Sequence, residues 1–232
     1  MNYKGVKFGD KHTSTYGIVL SDKTIDTPEP KTESVDIPGA DGSIDMTEFL
    51  GSVKYKNRKI RLDFSVVNKL NAELLETYSA ILADLHGKRF ESIILDDDPG
   101  YKYSGRVTGV TLSSSDSVPR ISIEADCEPY KQSVNLNVVA FTAGSANGDV
   151  TVDFGSKTVT ARIHIDCSGL SEVPQWIVYV DLAKYAVYDV SDISIPFKGS
   201  HSINVYPFYP SDTGGGNLFL APATISYPTL KL

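Results

Sequence analysis

The fold of this chain is decided by the stretch Ile60-Arg61-Leu62-Asp63-Phe64-Ser65-Val66, in which apolar and polar residues alternate. This alternation predicts a β-strand with one face buried on a sheet. Over residues 68–85 the apolar spacing changes to three and four residues, which is typical of an amphipathic helix. The apolar stripe consists of Leu70, Leu74, Leu75, Tyr78, Ile81, Leu82 and Leu85. We therefore expect one α-helix of about four turns packed on a sheet.

Both ends of the predicted helix carry end signals. Asn68 or Asn71 is suited to cap the first turn, because its short side chain accepts a hydrogen bond from a free backbone N–H. Gly87 stands where helices commonly end in the left-handed conformation. We expect the helix to end just before this glycine.

Strand-like runs lie on both sides of this strand–helix pair. Before it, Tyr16, Ile18 and Leu20 recur at every second position. After it, residues 90–95, 102–112 and 120–128 have strand composition and are separated by turn-forming residues. The middle run mixes apolar and polar residues on both faces, which predicts an edge strand or a strand in a projecting hairpin.

Two turn signals lie close together in residues 35–45. Pro38 presets φ to about −65°, and Gly39 tolerates the positive φ of a type II turn. Asp41-Gly42 is a strong hairpin signal. We predict a hairpin here, with a role in assembly rather than in catalysis.

Composition changes along the chain. Residues 1–133 carry 17 Lys and Arg and 21 Asp and Glu, whereas residues 134–232 carry 5 and 8. The second region is rich in Thr, Ser, Val, Tyr, Gly and Pro, which is typical of a β-sandwich with many turns. We predict two domains, 1–133 and 134–232, in a mainly β protein.

The second region holds six strand-like runs, at residues 134–139, 150–154, 159–167, 176–182, 203–208 and 223–227. Its later part contains Pro207, Pro210, Pro222 and Pro228. Because proline cannot donate to a ladder of backbone hydrogen bonds, we expect no long central strand there. The run Gly214-Gly215-Gly216 precedes no Lys-Ser or Lys-Thr, so it predicts no phosphate-binding loop.

Charge and hydropathy exclude several classes of function. The net charge of −7 argues against nucleic-acid binding, since that affinity comes largely from Lys and Arg. No run approaches the roughly 18 apolar residues of a membrane span, and residues 1–7 lead into no apolar signal region. We expect no membrane insertion and folding in the compartment of synthesis. Cys127 and Cys167 are expected to be free thiols, which fits a reducing compartment.

No pattern predicts catalysis or a cofactor. The histidines are His12, His86, His164 and His201. None stands in a catalytic motif, so we expect no catalytic residue. Asp96-Asp97-Asp98 is the best candidate for a hard cation such as Ca²⁺, but consecutive carboxylates diverge and a solvated loop is favoured. His164 and Cys167 lack further zinc ligands, so strand packing is favoured for this pair.

A sugar site has two aromatic candidates, because aromatic faces stack on sugar rings. One is the lone Trp176, for which packing in the core is favoured. The other is Tyr206-Pro207-Phe208-Tyr209. Exposed aromatic residues more often mark protein contacts, so no sugar-binding residue is assigned.

An ordered series of motifs runs through residues 1–133. The series is Tyr16-Gly17-Ile18, Pro38-Gly39-Ala40-Asp41-Gly42, Arg61-Leu62-Asp63-Phe64, the helix, Gly87-Lys88-Arg89-Phe90, Asp97-Asp98-Pro99-Gly100-Tyr101-Lys102-Tyr103-Ser104-Gly105-Arg106-Val107, and Cys127-Glu128-Pro129-Tyr130. In this order the motifs resemble the distal tail protein family of long-tailed bacteriophages, particularly phages of Gram-positive hosts. The resemblance covers more than half of the chain.

The resemblance implies a structural hub at the distal end of a phage tail, usually a hexameric ring. It implies a β-sandwich-like amino-terminal domain with one α-helix and a projecting hairpin, followed by a galectin-like β-sandwich. The implied partners are further copies of the chain, the major tail tube protein, the tail-associated (tail fibre or lysin) protein and receptor-binding proteins. The implied location is the virion tail tip, after assembly in the host bacterial cytoplasm. Residues 134–232 lack the His-x-Asn-x-Arg motif of sugar-binding galectins, so no sugar site is implied.

A second hypothesis is a carbohydrate-binding, adhesin-like β-sandwich protein of a surface-recognition system, and an enzyme comes third. Size-exclusion chromatography with light scattering distinguishes the two hypotheses, because a hub is expected to give a stable ring of about six copies. A monomer that loses glycan binding on Trp176→Ala distinguishes the adhesin.

Overall fold

The computed structural model describes residues 4–39, 41–49, 51–66, 71–113, 118–144, 149–168, 175–208 and 220–232 of the chain. The chain divides into two units, Met1–Gln132 with Lys231–Leu232, and Ser133–Leu230. Both units are built mainly from β-strands, as predicted, and each has its own apolar core. No helix within these residues has both the length and the apolar content that a bilayer crossing requires.

The first unit is organised around one antiparallel sheet. The strands up to residue 133 are β1 (Val6–Phe8), β2 (Lys11–His12), β3 (Ile18–Ile25), β4 (Ser34–Asp36), β5 (Ser43–Asp45), β6 (Arg58–Val66), β7 (Arg89–Leu95), β8 (Tyr101–Ser113), β9 (Arg120–Cys127) and β10 (Lys131–Ser133). Seven of them lie in the order β2-β1-β7-β8-β9-β6-β3, β10 also pairs with β8, and β4 and β5 form a separate hairpin. A 3₁₀ helix, Thr13–Tyr16, precedes β3, and helix α1 (Asn71–Leu85) follows β6.

The strand and helix predicted from residues 60–85 are confirmed. Strand β6 lies between β3 and β9, and its alternate residues Ile60, Leu62 and Phe64 are buried. Helix α1 contacts β8 and contributes the buried side chains Leu74, Ile81 and Leu85 to the same core.

One residue of the predicted helical stripe is not on the buried face, and one further residue of the stripe and one proposed cap lie outside the described residues. Leu75 is 59% exposed, because it lies about 100° around the helix from Leu74 and therefore off the buried face. Leu70 and the proposed cap Asn68 lie outside the described residues. Gly87 has φ +73°, so the predicted left-handed end of the helix is confirmed.

For residues 102–112 the predicted alternative of an edge strand is wrong, whereas the alternative of a hairpin strand fits β8, which pairs antiparallel with the next strand, β9. Strand β8 is interior and pairs with β7 on one side and β9 on the other. Its partner register shifts between Val107 and Gly109, so Thr108 is an extra residue in a β-bulge. The bulge reverses the alternation of buried and exposed side chains along β8. Tyr103 and Val107, before the bulge, and Val110, after it, therefore lie in the same core. The mixed faces in the sequence come from this bulge.

The second unit contains two four-stranded antiparallel sheets. The remaining strands are β11 (Asn137–Ala143), β12 (Val150–Asp153), β13 (Val159–Ile165), β14 (Gln175–Val180), β15 (Ala183–Tyr188), β16 (Asp192–Phe197), β17 (Ser200–Phe208), β18 (Ala221–Tyr227) and β19 (Leu230–Lys231). The sheet orders are β11-β18-β13-β16 and β12-β17-β14-β15. Ile163 and Ile225 from one sheet share a core with Val178 and Val205 from the other, which is the packing of a β-sandwich. Strands β15 and β16 were not predicted.

The expectation that prolines exclude a long central strand is also wrong. Strand β17 has nine residues and lies between β12 and β14. Pro207 pairs with Trp176 of β14, whereas β12 pairs only with residues Ser200 to Ile203 of β17. Because the first residue of β12, Val150, pairs with Ile203, β12 does not reach Pro207, and the missing N–H of this proline interrupts no pairing between β12 and β17. Pro210 lies outside the described residues.

Candidate functional site

The predicted hairpin forms an arm, which we define as residues 29–56. At its base, backbone N–H groups of Lys31 and Lys56 donate to Lys54 and Glu29 at 2.7 and 2.8 Å. At its end, β4 and β5 pair with Val35 opposite Ile44. Positive φ values of +85° at Gly39 and +78° at Gly42 confirm that the glycines of both turn signals take left-handed conformations.

The arm exposes apolar side chains. All residues of β4 and β5 are exposed, including Val35 and Ile44, each 50% exposed. Ile37 is 45% exposed and Phe49 is 75% exposed. A two-stranded hairpin without a covered face is marginally stable in water. The arm therefore has the properties of a segment that is covered by another protein surface.

The arm is also acidic. Residues 32–53 contain Glu33, Asp36, Asp41, Asp45 and Glu48, and no Lys, Arg or His. Hydrogen bonds from the Thr47 side chain and from its backbone N–H lower the pKa of Asp45. A partner surface that covers this arm must therefore accept apolar contact and negative charge together.

The candidate metal site divides into three separate contacts. Asp96 accepts the backbone N–H of Gly5 at 2.7 Å, Asp97 pairs with Lys23, and Asp98 pairs with Lys131 at 2.5 Å. The hydrogen bond from Lys23 lowers the pKa of Asp97. Among the described residues, no group of three His, Cys, Asp or Glu side chains is placed to hold a metal ion. The three carboxylates tie the β7–β8 loop to other parts of the unit.

His12 lies in a serine–histidine–carboxylate arrangement that the sequence did not predict. Its Nδ1 is 2.7 Å from Ser14 Oγ, and its Nε2 is 3.1 Å from Asp96 Oδ1. The same Nδ1 accepts the backbone N–H of Ser14 at 3.2 Å, so the imidazole caps the 3₁₀ helix. This local capping accounts for the arrangement, and we assign no chemistry to it.

The other histidines have carboxylate or backbone partners. His164 Nδ1 pairs with Asp192 at 2.9 Å, and His201 Nδ1 pairs with Asp181 at 2.7 Å. His86 follows the helix, where its backbone N–H donates to the Leu82 carbonyl.

Both cysteines are free, as predicted. Burial raises the pKa of Cys127 to about 12. Burial also raises the pKa of Cys167, whose thiol donates to the Ile165 carbonyl at 3.5 Å. Neither thiol is therefore activated as a thiolate.

The two aromatic sugar candidates have different surroundings. Trp176 is fully buried in the second unit, so the prediction of core packing is confirmed. Tyr206 is half-buried on the outer face of β17, and Phe208 is exposed. Tyr209 and the three-glycine run Gly214-Gly215-Gly216 lie outside the described residues.

The chain is similar to known proteins in two respects, a family profile and a solved structure. The profile of the family described as phage tail protein RIFT-related domain matches residues 10–127, slightly more than half of the chain. No curated protein sequence matches the chain. Among solved structures, the fold is similar to that of the Dit (gp 19.1) protein of SPP1, described as a paradigm of the hub adsorption apparatus in phages that infect Gram-positive bacteria. The TM-score is 0.64 at 12% identity, and the similarity covers 99% of each chain.

The structural similarity shows a shared fold, and the profile match shows the family. The matched residues include strands β3 to β9 and helix α1, and therefore most of the ordered motifs. The prediction of a phage tail protein is thus confirmed. This chain belongs to the family of phage tail proteins with the RIFT-related domain.

Proposed function

We propose that this chain is the structural hub at the distal end of a phage tail, where its copies close into a hexameric ring. The ring connects the tail tube to the tail tip or baseplate and to the receptor-binding apparatus. Family membership and the fold shared with SPP1 Dit over both units support this proposal. The hub stands in the virion tail tip after assembly in the host bacterial cytoplasm, and it carries out no chemistry of its own.

The exposed arm is the observation that carries the proposal. A closed ring needs a heterologous interface, in which one patch of a subunit meets a different patch of its neighbour. The arm is such a patch, because it holds Val35, Ile44 and Phe49 away from the core of its own unit. We assign the arm to the neighbouring copy in the ring.

The two units have different roles in this proposal. The domain of residues 1–133 builds the ring, since it contains the arm and the sheet behind it. The domain of residues 134–232 is a galectin-like sandwich on the outside of the ring. The further partners are the major tail tube protein, the tail-associated (tail fibre or lysin) protein and receptor-binding proteins. The net charge of −7 suits a channel through which DNA passes without being held.

The oligomeric state tests the proposal. Light scattering after size exclusion is expected to give six copies of the 25.2-kDa chain, or about 151 kDa. Electron microscopy of the same fraction is expected to show a ring with a hole wide enough for DNA. The measurement is repeated with the tail tube protein of the same phage co-expressed. A chain that stays monomeric in both preparations contradicts the hub.

The arm is tested by the double variant Val35→Thr, Ile44→Thr, which keeps strand-forming side chains and removes apolar surface. Fully burying Val or Ile stabilises by roughly 1.5–3 kcal/mol, so covering the exposed half at both positions contributes about 2 kcal/mol per subunit contact. We expect the variant to shift from ring to monomer at concentrations where the wild type is assembled. Val187→Thr, at a 40% exposed position of β15, is the matched control. If the double variant assembles like the control, the arm does not form part of the interface.

A further inference from the structure

The second unit has a groove of about 290 Å³ on the outer face of the β12-β17-β14-β15 sheet. Its described lining consists of Asp149, Tyr179, Leu182, Ser202, Asn204 and Tyr206. Tyr179 of β14 lies directly opposite Asn204 of β17, and Ser202 and Tyr206 stand two residues on either side of Asn204. Paired residues and alternate residues project from the same face of a sheet. The groove is therefore a product of the strand register.

Asn204 forms the floor of the groove. It is only 4% exposed, although its neighbours on the strand, Ile203 and Val205, occupy the core side of the sheet. Its Nδ2 donates to the Asp149 carboxylate and, at 3.1 Å, to Tyr206 Oη. Its Oδ1 accepts the backbone N–H of Val205 at 2.8 Å. One buried amide thus orients a carboxylate and a phenol at the rim.

Two tyrosines form a corner above this floor. The rings of Tyr179 and Tyr206 have centroids 5.6 Å apart and an interplanar angle of 89°. Both side chains are half-buried, so parts of both rings face the groove. An aromatic ring face offers a stacking surface to the C–H face of a sugar ring.

A tight turn forms one wall. Asp181 and Leu182 both have positive φ, +51° and +66°, as in the two-residue turns that join hairpin strands. The Asp181 carboxylate accepts the backbone N–H of Ser202 at 2.9 Å, which holds the turn against β17. Leu182 is 83% exposed at this edge of the groove.

We propose that this groove binds a neutral saccharide. One sugar ring stacks on the corner formed by Tyr179 and Tyr206, and its hydroxyl groups hydrogen-bond to the Asp149 carboxylate and Tyr206 Oη. The described lining contains no Lys or Arg and includes the Asp149 carboxylate, so it favours a neutral ligand over a phosphate or a carboxylate. The cation paired across the strands, Lys184 of β15, lies opposite Tyr179 and outside this lining. The volume of about 290 Å³ lies just below the roughly 300–1,000 Å³ of pockets for drug-sized molecules, so the groove suits a small ligand such as a single sugar ring. The site belongs to the second unit alone and does not depend on ring formation.

Saturation-transfer NMR on the full-length protein tests this site. The probes are lactose, maltose, cellobiose and chitobiose as neutral disaccharides, with sialyllactose as the anionic comparator. We expect millimolar binding of at least one neutral disaccharide and none of sialyllactose. Tyr206→Ala is expected to weaken binding about tenfold, because the stacking surface is lost. Asp149→Ala is expected to weaken it similarly, and this exposed position precedes β12, so the fold is retained.

Tyr185→Ala is the matched control, because Tyr185 is a 51% exposed tyrosine of the same sheet outside the groove lining. It is expected to bind like the wild type. Circular dichroism and the thermal midpoint establish that each variant is folded. The proposal is overturned if the folded wild type binds none of the disaccharides, if Asp149→Ala binds like Tyr185→Ala, or if sialyllactose binds as well as the neutral probes. If the protein forms a ring but binds no saccharide, the saccharide site is rejected and the hub proposal stands. If it binds saccharide as a monomer, the hub proposal is rejected and the saccharide site stands.

Discussion

Replacing Gly105 by alanine tests the packing of the first unit most directly. Gly105 is an interior residue of β8 and pairs with Cys127 of β9. A Cβ atom at this position falls 2.5 Å from the Asp126 carbonyl oxygen and 2.6 Å from Cys127 Sγ. Ordinary contacts begin near 3.4 Å, so the Asp126 carbonyl must retreat by about 0.9 Å.

This displacement is larger than the ladder between the strands tolerates. Backbone hydrogen bonds span about 2.7–3.2 Å, so a retreat of this size breaks at least one between β8 and β9. Overpacking costs about 1–3 kcal/mol, and a lost hydrogen bond adds about 0.5–1.5 kcal/mol. We expect Gly105→Ala to lower the free energy of unfolding by about 2–4 kcal/mol. For a unit of this size the thermal midpoint then falls by about 10 °C.

Differential scanning calorimetry measures this midpoint, and Gly109→Ala in the same strand is the matched control. A Cβ atom at Gly109 meets only the Glu124 side chain, at 3.6 Å, which is an ordinary contact. The control is expected to change stability by less than about 0.5 kcal/mol. If both alanine variants unfold at the wild-type temperature, the close approach of β8 and β9 at Gly105 is refuted.

Two further predictions concern the second unit. Trp176→Ala is expected to lower the free energy of unfolding by roughly 3–5 kcal/mol, because it leaves a cavity in the core, and an unchanged denaturation midpoint by circular dichroism would contradict this. The hydrogen bond to Asp181 raises the pKa of His201. In the protonated ring Nδ1 donates to the Asp181 carboxylate and Nε2 donates to the Lys198 carbonyl, and only an imidazolium can donate from both nitrogens. The contribution of protonated His201 to stability is complete below about pH 6.5 and is lost as pH rises through the pKa of the folded state. The pKa of Asp181 is lowered, so the contribution of its carboxylate is lost as pH falls below about 4. NMR titration is expected to show a lower His201 pKa in Asp181→Asn, and an identical titration in both proteins would reject the pairing.

The arm was partly predictable from the sequence, whereas the groove of the second unit was not. The hairpin turns were predicted because Pro38-Gly39 and Asp41-Gly42 act through local backbone conformation. The exposure of Val35 and Ile44 was not predicted, because alternating apolar residues ordinarily indicate a buried face. Of the residues that line the groove of the second unit, the sequence singled out only Tyr206. Asp149, Tyr179 and Asn204 come from different strands or loops and carry no common motif.

The amino-acid sequence by itself determined the mainly β class, strand β6, helix α1 and the phage tail family. Hydrophobic periodicity and turn residues are local properties, and the order of motifs along a chain is visible without coordinates. The interior position of β8 and the long strand β17 depend on where neighbouring strands begin, bulge and end. The groove depends on the register between β14 and β17, which brings together residues 25 positions apart, as for Tyr179 and Asn204. Such long-range pairings leave no local signal, so the tertiary structure alone placed the arm's exposed face and the groove of the second unit.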